Sequence, residues 1–249
     1  LFGTIEGGEF IPAVTSDPEA NIRSILVDEK EVIVKPITGG QGRNVYKISR
    51  TDRGFEFNSE VIDSSELDAR LGALDGYLVT AFVEQHDYAK TIYPDSTNTI
   101  RILTAQDPDS SEFFIVSATH RFGNSATGPT DNWTGGGLSA PIDIKSGELG
   151  CLYTYSEDRQ QLETLDTHPE TGERVTGTQI PDWDEVRQTV LEIAELHRRC
   201  PYVGWDCVVS TNGPKILEGN GAPGITTLQL ANGILENDAV RRLLIEESE

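Results

Sequence analysis

The chain has 249 residues, with 41 Asp and Glu against 20 Lys and Arg, a formal net charge of -21. Apolar residues make up 37% and include 8 Phe, 7 Tyr and 3 Trp, enough for a packed core, so wholesale disorder is not expected. Apolar runs such as Phe113–Val116 are far too short to cross a bilayer, and no basic stretch exceeds the Arg198-Arg199 or Arg241-Arg242 pair, so neither a membrane nor a nucleic acid is an expected partner.

In chain order, Ile22–Leu26 and Glu31–Ile37 read as strands, the second almost continuously β-branched. A glycine loop, Gly39-Gly40-Gln41-Gly42, leads into a strand at Val45–Ile48, and Phe55–Val61 reads as one more. Ser65 caps a short helix, with Asp68 three residues on. Tyr77–Val83, Thr99–Ala105 and Phe113–Arg121 follow as strands, and Gly123–Gly137 as a polar, glycine-rich loop. Pro181 and Asp182 open the clearest helix, about Trp183 to Arg199, with Val186, Val190, Ile193 and His197 on one core-facing stripe. Val203–Ser210 and Pro214–Glu218 form strands around Asn212-Gly213, and a last helix covers about Ala239–Glu246. This is an α+β mixture with mostly antiparallel strands.

The acid is spread along the whole chain and lysine is used only at Lys30, Lys35, Lys47, Lys90, Lys145 and Lys215. That pattern reads as a halophilic, cytoplasmic protein, in which molar salt shortens the Debye length to about 3 Å and screens self-repulsion; an ordinary acidic protein is the other reading. Cys151, Cys200 and Cys207 form no CxxC pair, and His86, His120, His168 and His197 form no close pair, so neither a disulfide framework nor a Cys- or His-based metal centre is expected. With no Met, Leu1 reads as a point after a natural start.

Three constellations carry chemistry. In VKPITGGQG, Val34–Gly42, a lysine at a strand end precedes glycines whose N–H groups could close around phosphate oxygens. In GWDCVVSTNGPKILEGN, Gly204–Asn220, the turn decides the geometry. A two-residue Asn212-Gly213 loop pairs Asp206 with Gly219, whereas a three-residue loop from Thr211, with Gly213 left-handed, sets Asp206 opposite Glu218 with Asn220 on the same face. The second register gives a hard, all-oxygen set suited to Mg²⁺; a solvated acidic edge is the other reading. Finally, Arg101 and Arg121 at neighbouring strand ends, with DNWTGGG at Asp131–Gly137, could hold a phosphate or carboxylate, or form surface ion pairs. Cys207 reads as a small buried residue.

Taken in order, VKPITGGQG, NTIRILT, DNWTGGGLSAPID, HPETGE, IPDW, VGWD and LEGN resemble the ATP-grasp superfamily, and within it the sugar-transfer-associated group, related to glutamate-ligase-like proteins. The resemblance implies an ATP-grasp fold, two antiparallel-sheet lobes clasping a nucleotide. Residues 1–21 would be the remnant of a missing N-terminal subdomain, 22–82 a small lobe with the glycine loop, and 83–249 a large lobe with the metal site. By the same resemblance, Lys35, Gly39, Gly40 and Gly42 would contact ATP phosphates. Ala81, Phe82, Val83 and Glu84 would lie in the adenine-binding hinge, although Ala81 stands where the family usually has glutamate. Asp206, Glu218 and Asn220 would hold Mg²⁺, with Mn²⁺ the alternative ion, and Arg101, Arg121 and Asn132 would face the transferred phosphoryl group. The implied activity is a carboxylate–amine or carboxylate–thiol ligase working through an acyl-phosphate, linked to polysaccharide biosynthesis, on small-molecule carboxylate and amine substrates. The alternatives are an ATP-grasp phosphotransferase and a non-catalytic nucleotide-binding module.

Overall fold

A computed structural model of the chain describes residues 1–13, 21–38, 44–128, 130–156 and 160–245. It divides into two compact units, Leu1–Val83 and Glu84–Glu249.

The first unit holds strands β1 (Gly3–Glu6), β2 (Glu9–Pro12), β3 (Glu31–Pro36), β4 (Tyr46–Thr51), β5 (Gly54–Phe57), β6 (Glu60–Ile62) and β7 (Tyr77–Ala81), with helices α1 (Ile22–Asp28) and α2 (Ser64–Gly72). The strands form one antiparallel sheet in the order β2-β1-β7-β3-β4-β5-β6. Val32 and Val34 point into a core with Ile5, Leu26, Ile48, Leu67 and Val79. Alternation puts Lys35 on the opposite face, opposite Leu78 in the register.

Three readings of this region change. The expected strand at Ile22–Leu26 is helix α1: Asn21 and Ser24 form a reciprocal capping box, and Ile22, Ile25 and Leu26 bury one helical face. The expected single strand Phe55–Val61 is a hairpin, because Asn58 and Ser59 both take left-handed backbone, with φ of 50° and 72°. Helix α2 is capped by Asp63 instead of Ser65, its carboxylate accepting from the Ser65 and Glu66 amides at 2.8 and 2.9 Å.

The second unit begins with helix α3 (Asp87–Ile92), then strands β8 (Ile100–Gln106), β9 (Phe113–Phe122), β10 (Leu138–Pro141), β11 (Leu152–Ser156) and β12 (Gln161–Leu165). Helix α4 (Trp183–Leu196), strands β13 (Tyr202–Ser210) and β14 (Gly213–Asn220), and helix α5 (Asp238–Ile245) complete it. Its antiparallel sheet runs β12-β11-β10-β9-β8-β13-β14. One sheet face, with Ile100, Ile102, Ala118, Phe122, Leu138, Ala140, Trp205 and Cys207, packs on Val186, Val190 and Ala194 of α4. Here Ala194 completes the buried stripe. His197, expected on it, lies just past the helix and is exposed, edge-on to Trp205 at 5.9 Å. Cys207 is fully buried as expected, and burial pushes its thiol up to about 12.

The fold is therefore α+β, built on two antiparallel sheets. Among the described residues no helix is long and apolar enough to cross a membrane.

Candidate active site

The face of the second sheet turned away from α4 carries polar residues where a solvated antiparallel face would carry exposed ones. Thr99, Thr119, Asp131, Ser139 and Asp206 are all buried. Strand pairing aligns them: Asp206 of β13 lies opposite Arg101 of β8, Arg101 opposite Thr119 of β9, and Arg121 of β9 opposite Ser139 of β10.

Asp206 is the hub. Its Oδ1 accepts from Arg101 Nε, and its Oδ2 accepts from Arg101 Nη2 at 2.9 Å and from Arg121 Nη2 at 3.0 Å. Arg121 also donates to Thr99 Oγ1 and stands 3.6 Å from Asp131. Thr99 donates to Asp131 Oδ2 from its amide at 2.7 Å and its hydroxyl at 2.5 Å. Burial pushes the Asp206 carboxyl up, but the Arg121 charge and the Arg101 hydrogen bond outweigh it and hold Asp206 below the usual carboxylate range. Burial likewise pulls Arg121 down, and Asp131 and Asp206 more than restore it.

The hairpin β13–β14 brings Glu218 opposite Asp206, as the sequence allowed, but by another route. Ser210 pairs with Gly213 around a two-residue Thr211-Asn212 loop, and the register then shifts between Cys207 and Asp206. That bulge takes up Leu217 and restores the Asp206–Glu218 pair. Gly213 takes a left-handed φ of 83°, as the three-residue reading expected. Asn220 stands opposite Gly204, and its Nδ2 donates to Gly204 O and Glu218 Oε1, both at 3.3 Å. A side chain at Gly204 would run into Pro223 at 2.6 Å and crowd the Arg101 stem.

Asp206, Glu218, Asn220, Arg101 and Arg121 thus share one neighbourhood; Glu218 is close enough for its charge to raise the Arg121 pKa. Among the described residues no three Asp, Glu, His or Cys side chains converge, so any cation site here has two carboxylates and an amide. That set fits Mg²⁺, which takes one or two carboxylates and keeps water and phosphate oxygens as its other ligands. Among the described residues Asp206 Oδ1 accepts one hydrogen bond, from Arg101 Nε, which leaves a lone pair for a cation.

The remaining expected residues fall elsewhere. Asn132 follows Asp131 in a turn, its Nδ2 reaching Thr130 Oγ1 at 3.5 Å and its carbonyl accepting from Gly135 and Gly137 at 3.0 Å. Lys35, Ala81, Phe82 and Val83 belong to the first unit, Glu84 to the second, paired with Lys90 at 3.0 Å. Gly39, Gly40 and Gly42 lie outside the described residues. Sequence reasoning named Asp131 within the candidate loop but missed that it and Thr99 buttress Arg121, and it gave no part to Lys47, whose Nζ stands 3.9 Å above the Phe82 ring.

It also left the HPETGE segment without a role. His168 is fully buried, stacked on Tyr93 at 4.9 Å, and its Nε2 lies 2.9 Å from Gly123 O. Glu170 accepts from the Ser125 amide at 3.0 Å and its hydroxyl at 2.6 Å, and the hydroxyl bond holds Glu170 below the usual carboxylate range. This turn braces the loop leaving Arg121.

The profile of a family described as "Sugar-transfer associated ATP-grasp" matches residues 3–240. The chain belongs to that family. Among solved structures, this ATP-grasp chain is similar to D-alanyl-alanine synthetase A from Vibrio cholerae, at 12% identity and a TM-score of 0.45, over 89% of this chain and 55% of that one. It is also similar to a RiPP-associated ATP-grasp ligase from Chryseobacterium gregarium, solved with ADP and a leader and core peptide (13% identity, TM-score 0.44, 91% and 52% covered). A third is D-alanine–D-alanine ligase from Bacillus anthracis (10% identity, TM-score 0.39, 90% and 52% covered). The chain spans about half the length of these proteins. No match was found among curated proteins.

Proposed function

We propose that the chain is the core of an ATP-dependent ligase, joining a carboxylate to an amine or thiol through an acyl-phosphate. The observation that carries this is the buried Arg101–Asp206–Arg121 cluster beside Glu218 and Asn220, in a chain of the ATP-grasp family. Phosphoryl transfer asks a protein for positioning and for neutralisation of spreading negative charge, and for no nucleophilic side chain. The cluster offers two fixed guanidiniums within a surface otherwise rich in acid.

Asp206, Glu218 and Asn220 would hold Mg²⁺, which supplies charge neutralisation to the ATP phosphates when bound. Arg101 and Arg121 would orient the substrate carboxylate and the γ-phosphoryl group, and Asn132 would add an amide contact. The carboxylate oxygen bonds to the γ-phosphorus as the bond to ADP breaks. The amine nitrogen then bonds to the acyl carbon, phosphate leaves, and the nitrogen's proton passes to the departing phosphate. Lys35 and the glycine loop are proposed as phosphate contacts and 81–84 as the adenine-binding segment. A cytoplasmic, salt-rich setting and a link to polysaccharide assembly belong to the same reading.

Calorimetry in molar KCl tests it. Mg-ATP should bind the parent chain, and Glu218→Ala and Lys35→Ala should lose that binding while keeping their circular dichroism. A Glu218→Ala chain that binds Mg-ATP like the parent would sink the metal assignment. ADP release that needs no carboxylate would favour a phosphotransferase instead.

A further inference from the structure

The NTIR segment supplies Arg101 and Thr99 to the site and leaves Asn98 without a role. Asn98 is 1% exposed, and its side-chain amide is engaged at both ends. Nδ2 faces three acceptors, Tyr93 O at 2.7 Å and Ala89 O and Gln85 Oε1 at 3.1 Å. Oδ1 accepts from Ser96 Oγ at 2.8 Å and from the Gly123 amide at 3.1 Å. Acceptors at one end and donors at the other leave the amide a single orientation. Gln85, also buried, holds it there: its Oε1 accepts from the Asn98 backbone amide at 3.0 Å as well, and its Nε2 donates to Ser96 O at 2.7 Å. A buried polar network whose members are all bonded is rigid.

This network holds the backbone on both sides of Arg121. The Arg121 amide donates to Thr99 O at 2.8 Å, and two residues on the Gly123 amide donates to Asn98 Oδ1. Thr99, the residue after Asn98, also donates to Asp131, at the far end of the loop that Gly123 begins. Asn98-Thr99 therefore staples both ends of that loop. The staple is tight, since a side chain at Gly123 would meet Thr130 O at 2.7 Å. The Thr99 hydroxyl fixed in this way accepts from Arg121 Nε at 3.0 Å. Arg101 is held from a different strand, by Asp206 of β13.

We propose that Asn98, oriented by Gln85, is a positioning residue for Arg121: it fixes the guanidinium that the ligase reading sets against the transferred γ-phosphoryl group. The inference rests on that reading for the identity of the group, whereas the positioning is a property of the chain without ligand. Its force is geometric. A guanidinium meets a phosphoryl group through a planar fork, and an error of about 1 Å in its place costs much of that contact. Thr99 and Asp131 hold only the tip of a long side chain. If the start of β8 and the exit of β9 drift apart, both tip contacts go with them. Asn98 bonds the two directly, through one buried amide, and so sets where the fork lies.

The test reads both guanidiniums in one spectrum of the whole chain in molar KCl. The Nε–H signals of Arg121 and Arg101 are assigned with Arg121→Lys and Arg101→Lys, and their exchange with solvent is followed by heteronuclear NMR. Asn98→Ala should speed exchange at Arg121 about tenfold, the worth of one hydrogen bond, and leave Arg101 within about twofold. Gln85→Met keeps Asn98 and removes its orienter; it should act in the same direction by about threefold, and it carries the test if Asn98→Ala does not fold. Val190→Ala, a cavity in the core under the same sheet, should leave the ratio of the two rates as in the parent. Equal acceleration at both arginines, or none at Arg121, overturns the proposal, because an amide that only stabilises the unit would loosen the two alike. Calorimetry with Mg-ATP and Mg-ADP reads the phosphoryl group. Asn98→Ala should lower the preference for ATP over ADP about tenfold and keep the ADP affinity; an unchanged preference overturns the role toward that group. A parent that binds neither nucleotide overturns the ligase reading instead, and the exchange comparison then decides the positioning by itself.

Discussion

His120 should make the second unit sensitive to mild acid. It sits on β9 between Thr119 and Arg121 but points to the core face, stacked on Phe122 at 4.2 Å and fully buried. Its Nδ1 lies 3.1 Å from Arg121 O, an acceptor, so Nδ1 carries the proton; Nε2, 2.8 Å from the Tyr88 hydroxyl, then accepts. Burial pulls its pKa from 6.5 to about 3. Between those values the unfolded chain binds a proton that the folded chain refuses. Stability from this group is complete above pH 6.5 and is lost as pH falls toward 3. The whole window is worth about 5 kcal/mol, and the step from pH 6.5 to pH 5 about 2 kcal/mol. For a unit of this size that is a fall of roughly 4–8 °C in melting temperature. The carboxylates complicate a single curve, so the readout is a difference. Melting temperatures of the parent and His120→Gln are compared at pH 7.5 and pH 5 in molar KCl. The variant should start lower and show about 2 kcal/mol less pH dependence. Equal pH dependence in the two proteins would mean that His120 is already solvated or charged, and the argument fails.

Three other outcomes are expected. Asp206→Ala strands two largely buried guanidiniums and should cost about 3–5 kcal/mol in urea unfolding, whereas Glu218→Ala, at an exposed position, should stay within about 0.5 kcal/mol; equal costs would refute the hub assignment. Glu170→Gln should speed amide exchange at Ser125 about tenfold with little change in melting temperature, because the charged acceptor of its amide and hydroxyl is gone; unchanged exchange would refute the brace. Transfer from molar KCl to dilute buffer should lower the melting temperature, since a charge of -21 is no longer screened; a constant value would end the halophile reading.

Local chemistry was legible where one signal dominated. The β-branched run Glu31–Pro36 and the 3.6-residue stripe of α4 folded as their patterns demand, except that the stripe ends at Ala194 and leaves His197 exposed. The apolar run beginning at Ile22 carried two signals, and the capping pair Asn21 and Ser24 outweighed strand composition. The Gly7-Gly8 turn that joins β1 to β2 is equally visible in sequence, but the short strands on either side of it carry no strong pattern of their own. The left-handed Gly213 was within reach of turn chemistry, because hairpin register is local; the bulge at Leu217, on which the Asp206–Glu218 pair depends, was not, because nothing about Leu217 itself requires it. The arginines were named as candidates, but their common partner could not be. Arg101 and Asp206 are 105 residues apart, and only the pairing of β8 with β13 joins them.

That partnership bears on how the proposed site would work. Asp206 is at once the hub of the arginine pair and a candidate cation ligand, and the two roles compete only in part. Oδ2 is saturated by Arg101 and Arg121, while Oδ1 keeps a lone pair. A cation at Oδ1, shared with Glu218 and Asn220, would weaken the hold of Asp206 on both guanidiniums, because the carboxylate charge is then divided. The arginines would not be left bare, since the phosphate oxygens that arrive with the cation are better acceptors for a planar fork. Arg121 would stay in place through Thr99 and Asp131 as the exchange occurs. The buried charges are thus held near neutrality, and on this proposal partner exchange would replace the creation of new buried charge when a nucleotide binds. In a chain this acidic, such preparation matters more than long-range attraction, which works against an anionic ligand.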